Sequence, residues 1–140
     1  MVLGKKHNQK DYEWGRQQEE KCNGYLNEHF NTSLINAKSQ YARWDFTDEK
    51  LKIEMKSRKN ITIDSYATTF ISEDKCRHAD GNTYFVFNFV YDCACDLSDL
   101  YCIQYDKEKF KKYLRKTINN DWSLIEIPCS DLTHIVQEIL

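Results

Sequence analysis

Residues 41–58 read Tyr-Ala-Arg-Trp-Asp-Phe-Thr-Asp-Glu-Lys-Leu-Lys-Ile-Glu-Met-Lys-Ser-Arg. In the second half of this stretch every other residue is apolar, namely Leu51, Ile53 and Met55. A period of two predicts a strand with one buried face and one charged face. The Asp-Glu pair at 48–49 is typical of a tight turn. The stretch therefore predicts a β-hairpin, and its position among the later elements decides the fold.

Two carboxylates lie in this hairpin, Asp45 in the first strand and Glu54 in the second. A turn of two or four residues is expected to place Asp45 opposite Lys52 and on the same face as Glu54, whereas a three-residue turn reverses that parity. Lys56 shares the face of Glu54 because it follows two residues later. Two carboxylates with a lysine between strands are an arrangement suited to a divalent metal ion.

This stretch resembles the metal-binding motif of the PD-(D/E)XK nucleases, the restriction-endonuclease-like family that includes the Holliday-junction-type resolvases of branched DNA. The core of that family begins with a helix and continues with strands that carry an Asp and a Glu-X-Lys triplet, a crossover helix and a further strand. The order of predicted elements agrees over roughly residues 11–105. The resemblance implies a metal-dependent endonuclease that hydrolyses phosphodiester bonds of DNA.

The resemblance also implies a role for each residue of the motif. Asp45 and Glu54 would be the main ligands of a Mg²⁺ or Mn²⁺ ion, with the backbone carbonyl of Met55 as a third. Lys56 would orient or deprotonate the attacking water and stabilise the charged phosphate. A carboxylate from the first helix often completes the site in this family, and Glu19 is the residue to which that role carries over.

A helix is predicted over Asp11–Phe30, where apolar residues recur at three- and four-residue spacing. On a helical wheel of about 100° per residue, Glu19 lies at the edge of the apolar stripe beside Leu26, and Glu20 points to solvent. A glutamate on a helix is most often simply solvated. The role of Glu19 therefore depends on what this helix packs against.

The remaining pattern predicts one domain, residues 1–140, with an α/β fold and a mixed central β-sheet flanked by helices. The run Thr83–Tyr91 is apolar on both faces and is expected in the middle of the sheet. The resemblance implies a restriction-endonuclease-like core (αβββαβ), to which a C-terminal strand and helix are added. Further predicted strands are one within 33–38, Leu100–Tyr105 and Trp122–Ile127. Further predicted helices are a short one from Ser72 to about Ala79 and a longer one, Lys107–Asn119, capped by Asp106. A terminal helix, capped by Ser130, is predicted to carry on one face the apolar residues Leu132, Ile135, Val136 and Ile139.

The composition limits the possible partners. A net charge of −2 argues against a generic nucleic-acid coat but not against a nuclease, since an acidic metal site lowers the net charge. No segment approaches the ~20 apolar residues of a membrane span, so no membrane partner is expected. Six cysteines without a signal peptide predict free thiols and an intracellular location, in the cytoplasm or nucleus.

DNA is the expected partner, and several basic residues are candidates to bind its backbone. Lys50, Lys52, Arg58 and Lys59 surround the proposed catalytic residues, and Lys75 is a more distant candidate. A second basic cluster within 107–116 is better explained as a solvated helix face. A single compact site cleaves one strand at a time, so paired cuts would need a homodimer.

A zinc site is an alternative for part of the chain. Cys76 and His78 form one pair of soft ligands, and Cys93 and Cys95 form another. Neither pair has the usual spacing of zinc ligands. Free thiols are therefore the preferred interpretation.

Other interpretations of the hairpin and of the function stay open. The hairpin could be a solvated one with cross-strand ion pairs Asp45–Lys52 and Arg43–Glu54, each contributing ~0.2–1 kcal/mol. The fold could serve as a non-catalytic interaction module that uses its aromatic and basic surface. RNA is a third possibility, as the substrate of an RNA-directed nuclease, although the chain has no recognisable RNA-binding motif.

Overall fold

The structure, a computed structural model, describes residues 9–39, 41–116 and 123–135. These residues form an α/β fold with a mixed six-stranded sheet, a three-stranded sheet and two α-helices. Helix α1 spans Gln9–Phe30 and helix α2 spans Lys107–Tyr113. The strands are β1 Ile35–Asn36, β2 Phe46–Thr47, β3 Lys52–Lys59, β4 Thr68–Ser72, β5 Thr83–Asp92, β6 Leu97–Gln104, β7 Leu114–Lys116, β8 Ser123–Pro128 and β9 Thr133–Ile135.

The six-stranded sheet has the order β1-β2-β3-β5-β6-β9, in which only β3 and β5 run parallel. Strand β5 is central and almost entirely buried, which confirms the prediction from its continuous apolar run. Its Val86 packs with Cys22 and Leu26 of α1 on one face of the sheet. On the other face, Phe87 packs in a second cluster that includes Ile125 of the three-stranded sheet. The predicted mixed sheet with helices on it is therefore confirmed.

The connection between β3 and β5 differs from the predicted crossover helix. It contains β4 and a 3-10 helix, Glu73–Cys76, instead of an α-helix that continues to Ala79. The predicted start is correct, because the Ser72 side chain accepts a hydrogen bond from the Asp74 N–H at 3.2 Å. None of the four helical residues is buried, so no packed face stabilises a longer helix.

Helix α2 is shorter than predicted, although its predicted cap is correct. Asp106 accepts a hydrogen bond from the Lys109 N–H at 2.9 Å. The helix ends at Tyr113, and Leu114 is extended with φ −65° and ψ 129°. Residues 114–116 pair with β8, so strand pairing with a neighbour replaces the last helical turns. The predicted end of this helix at Asn119 lies outside the described residues.

The predicted terminal helix is wrong over its described part. Ser130 lies in a 3-10 helix, Cys129–Asp131, and strand β9 follows directly. Strand β9 pairs with the open edge of β6 and places Ile135, fully buried, opposite Leu100. Covering a sheet edge and burying an isoleucine outweighs the weak local preference for a helix. Val136, Ile139 and the predicted strand start at Trp122 lie outside the described residues.

Truncation of the central strand tests this packing. Phe87 is 0% exposed, so Phe87→Ala should lower the free energy of unfolding by about 3–5 kcal/mol. Phe70 is 48% exposed, and Phe70→Ala should cost about 1 kcal/mol or less. Urea denaturation followed by circular dichroism measures both, and equal losses would contradict the assignment of β5 to the core.

Candidate active site

The hairpin has a short paired region and then opens. Strand β2 pairs with β3 only at Phe46↔Ile53 and Thr47↔Lys52. Four residues, 48–51, connect the two strands, so the turn has an even length, one of the lengths expected to place Asp45 on the face of Glu54. The predicted position of Asp45 opposite Lys52 is wrong, because Thr47 occupies it. Regular pairing ends at Phe46, where Asp45 and Phe46 both lie against Ile53, and we call this point the fork.

Asp45 lies at the fork and joins three backbone segments. Its N–H donates to the Ile53 carbonyl at 2.9 Å, and its carbonyl accepts from the Ala37 N–H at 2.8 Å. Its carboxylate Oδ2 accepts a hydrogen bond from the Met55 N–H at 2.8 Å. The side chain of Asp45 therefore takes the place of a backbone partner for β3. The Met55 carbonyl points toward the same edge, because the N–H and C=O of a strand residue lie on one side.

Glu54 is the buried carboxylate of the site, with 4% of its surface exposed. Its Oε2 lies 3.5 Å from Lys56 Nζ and 3.1 Å from Lys75 Nζ. The two ammonium groups supply the compensation that a buried carboxylate requires. Lys75 comes from the 3-10 helix between β4 and β5, so the structure places this predicted DNA-binding residue inside the site. Glu54 has these two lysines as partners, not Arg43 as in the solvated-hairpin interpretation.

Glu19 faces the site and Glu20 is exposed, as the helical wheel predicts. The side chain of Glu19 is 12% exposed and lies 2.9 Å from Arg16 Nη1. Helix α1 packs on the sheet through Cys22 and Leu26, and this packing turns Glu19 toward β3. Sequence reasoning missed Arg16, although its spacing of three residues from Glu19 is a signal for an ion pair on one helix face.

These side chains line one pocket of about 260 Å³. The pocket lies where α1 passes over the fork, and it combines acidic and basic groups with a backbone segment of β3. The lining residues that carry chemistry are Arg16, Glu19, Asp45, Glu54, Met55, Lys56 and Lys75. The structure therefore brings the predicted site residues Asp45, Glu54, Lys56 and Glu19 together.

Burial and mutual repulsion raise the proton affinity of two of the carboxylates. Burial, and then the charge of Glu54, raise the pKa of Asp45 to about 6, against the opposing effect of the Met55 N–H. Burial, and then the charge of Asp45, raise the pKa of Glu19 to about 7, although Arg16 lowers it. Asp45 and Glu19 thus bind protons more tightly than solvated carboxylates do, which favours binding of a proton or a cation near them.

The donor set suits a magnesium or manganese ion by its chemistry. Mg²⁺ prefers hard oxygen ligands and usually takes one or two carboxylates from the protein, with water and substrate phosphate as the other ligands. Asp45, Glu54 and the Met55 carbonyl supply such a set. Within the described residues no group of three or more His, Cys, Asp or Glu side chains is arranged to hold a metal ion. The fit to Mg²⁺ therefore rests on the chemistry of these oxygen donors alone.

Two of the other predicted DNA-binding residues contact groups on neighbouring segments, and the remaining two lie at the surface. Lys52 lies 2.6 Å from Asp80, and the guanidinium of Arg58 donates to the Phe70 carbonyl at 2.6 Å. These contacts hold both side chains in place. Lys50 is exposed in the turn, and Lys59 lies beside α1 at the surface.

The zinc alternative fails because its two ligand pairs lie at opposite ends of β5. Cys76 precedes the start of this ten-residue strand, and Cys93 and Cys95 lie in the turn that follows it. A strand of ten residues spans roughly 33 Å, far beyond the reach of one metal ion. All six cysteines are free thiols.

No family model matches the chain, and comparisons with curated proteins and with solved structures find no match either. The roles of these residues therefore rest on the geometry and chemistry of the site itself. Within the described residues, no helix has the length and apolar character that crossing a membrane requires.

The pH dependence of the free energy of unfolding tests whether burial and the neighbouring carboxylates raise the pKa of Asp45. The pKa of Asp45 is raised to about 6 by folding, so its stabilising contribution is present at low pH and is lost as the pH rises through about 6. In the absence of divalent metal, Asp45→Asn should raise the free energy of unfolding by about 1–3 kcal/mol at pH values above 6, and by little at low pH. Thermal and urea denaturation across this range measure the effect.

Asp48 provides a control, because folding lowers its pKa whereas folding raises the pKa of Asp45. The Thr32 hydroxyl and two backbone N–H groups lower the pKa of this half-buried carboxylate. Asp48→Asn should therefore lower stability at neutral pH, and the loss should fade as the pH falls below the ordinary pKa of an aspartate and through the lowered pKa of the folded state. A stabilising Asp48→Asn, or an Asp45→Asn effect independent of pH, would contradict this account of the site.

Proposed function

We propose that this protein is a divalent-metal-dependent endonuclease that hydrolyses phosphodiester bonds of DNA. The observation that carries the proposal is the single pocket in which Glu19, Asp45 and Glu54 meet Lys56 and Lys75. Hydrolysis of a phosphodiester needs deprotonation of water, neutralisation of charge on the phosphorus centre and stabilisation of the leaving oxygen. Clustered carboxylates and lysines are the side chains suited to these tasks.

The order of elements supports a restriction-endonuclease-like core as part of this proposal. Helix α1 is followed by β1, β2 and β3, and β3 pairs in parallel with β5 after a crossover. Asp45 precedes β2 and Glu54 and Lys56 lie on β3, which is the placement that the PD-(D/E)XK resemblance implies. The crossover departs from the αβββαβ pattern, since it holds β4 and a 3-10 helix in place of the α-helix.

Asp45, Glu54 and the Met55 carbonyl would hold the Mg²⁺ or Mn²⁺ ion. When bound, such an ion polarises a phosphoryl oxygen and lowers the pKa of water. The hydrogen bond from the Met55 N–H orients the Asp45 carboxylate before any ligand arrives. This preorganisation reduces the cost of assembling the site.

The two lysines place positive charge where the phosphate would enter. Both ammonium groups contact the same oxygen of Glu54, so two positive charges lie side by side in the pocket. Lys56 shares a strand with Glu54 and is suited to orient the attacking water. Lys75 approaches from the crossover and is suited to neutralise a non-bridging phosphate oxygen.

Glu19 is the group best suited to exchange a proton near neutral pH. Its pKa is raised to about 7, chiefly by burial, and a general base is most effective when its pKa lies near the working pH. Arg16 holds its carboxylate at 2.9 Å and fixes its direction. Glu19 would therefore complete the site from α1 by accepting a proton from water.

Cleavage of plasmid and oligonucleotide DNA with Mg²⁺ or Mn²⁺ tests the proposal. Wild type should cleave, and a chelator should abolish cleavage. Glu54→Gln and Lys56→Ala should each lower the rate on the order of a hundredfold, because each removes transition-state stabilisation. Both variants should retain the wild-type circular dichroism spectrum.

Glu108 and Lys111 provide a matched control pair. They form an exposed ion pair of 3.4 Å on α2, outside the residues that line the pocket. Glu108→Gln and Lys111→Ala should leave cleavage unchanged. Equal activity in the Glu54 and control variants would overturn the assignment, and a wild-type protein that cleaves no DNA with either metal would favour a non-catalytic interaction module.

A further inference from the structure

We propose that a groove beside the pocket, bordered by Trp14, binds an unpaired nucleotide of the DNA strand whose phosphate enters the pocket. This inference rests on the proposed nuclease function and adds a substrate class to it: single-stranded or frayed DNA, as opposed to intact duplex.

The groove, called here the Trp14 groove, has a volume of about 430 Å³, within the ~300–1,000 Å³ range of ligand pockets. It is continuous with the catalytic pocket, because Glu19, Met55 and Lys56 line both. A strand that places one phosphate at Lys56 therefore has its neighbouring nucleotide within reach of Trp14.

The charge around the Trp14 groove complements a nucleic-acid strand. Lys56, Arg58 and Lys59 follow one another along β3 and line the groove. Of the three, Lys59 lies over the indole ring, whereas the guanidinium of Arg58 lies 5.0 Å from the centroid of the Phe70 ring. Proteins that bind single strands combine positive charge along the backbone path with aromatic rings on which bases stack.

The ammonium group of Lys59 lies on the face of the Trp14 ring, and a ligand can displace it. The Lys59 Nζ lies 4.6 Å from the ring centroid and 3.6 Å from Asp11. The side chains of Lys59 and Asp11 are 48% and 49% exposed, and exposed ion pairs of this kind hold side chains weakly. A base can therefore take the place of the ammonium on the ring, and the ammonium can move to the adjacent phosphate.

An unpaired base fits this geometry and a paired base does not. In a duplex each base is stacked between its neighbours, and its faces are not accessible to an indole. Stacking on Trp14 needs a base that has left the stack, which costs least in single strands, ends and junctions. The site should tolerate any base, because every base has a π-face.

Binding measured by fluorescence anisotropy tests the inference without relying on cleavage. The protein carries Glu54→Gln, divalent metal is omitted, and the probes are a labelled oligothymidylate, a labelled oligouridylate and a labelled blunt duplex. We expect tighter binding of the single strand. Adding Trp14→Ala should weaken single-strand binding on the order of tenfold and duplex binding by less than about twofold, while Trp14→Phe should retain most of the affinity.

Tyr91→Ala is the matched control, since Tyr91 is 42% exposed and lines neither the pocket nor the groove. It should not change binding. Tryptophan fluorescence of wild type and Trp14→Phe gives a second readout, which can be used even if Trp14→Ala fails to fold. Oligothymidylate should quench tryptophan emission, and Trp14→Phe should bind while it loses this quenching, although Trp44 and Trp122 remain.

Three results would overturn the inference: equal or tighter wild-type binding of the duplex, loss of both affinities in Trp14→Ala by the same factor, or tighter binding of oligouridylate than of oligothymidylate. These failures differ from a failure of the nuclease proposal. If the protein prefers single strands through Trp14 but cleaves no DNA, the inference about the Trp14 groove stands and the nuclease proposal is wrong.

Discussion

The hydrogen bond from the Met55 N–H to the Asp45 carboxylate fixes the point at which the acidic side chains meet. Strand β2 pairs with only two residues of β3, and Asp45 extends that pairing with its side chain, at 2.8 Å. The same contact turns the Asp45 carboxylate toward Glu54 and leaves the Met55 carbonyl at the open edge. Without this hydrogen bond, the carboxylate of Asp45 would not be fixed against the edge of β3.

Electrostatic balance explains why this arrangement persists in the folded protein. Glu54 is buried but contacts two lysines, Glu19 contacts Arg16, and Asp45 accepts a backbone hydrogen bond. Each carboxylate therefore has a partner of its own, and the remaining repulsion appears as the raised pKa values of Asp45 and Glu19. Such stored repulsion is typical of sites that bind cations or move protons, and it costs stability at neutral pH.

The predictable parts of the site are local in sequence, and so is the missed pairing of Arg16 with Glu19, whereas the contact of Lys75 with Glu54 is not. The period of two placed Glu54 and Lys56 on one face, and the helical wheel separated Glu19 from Glu20. The participation of Lys75 depends on how the crossover folds back over β3, which no local pattern encodes. Likewise the spacing around Ile135 favours a helix locally, but the open edge of β6 selects a strand. Long-range pairing thus overrode local propensity where a sheet edge was available.

The most direct measurement is a calorimetric titration of Mn²⁺ into wild type, Asp45→Asn and Asp48→Asn near neutral pH. The account predicts one site in wild type, with proton release because binding displaces protons held by carboxylates of raised pKa. Asp45→Asn should weaken binding by at least about tenfold, and Asp48→Asn should retain it. Equal Mn²⁺ affinity in Asp45→Asn and wild type, or no binding to wild type, would contradict the claim that the fork is a metal site.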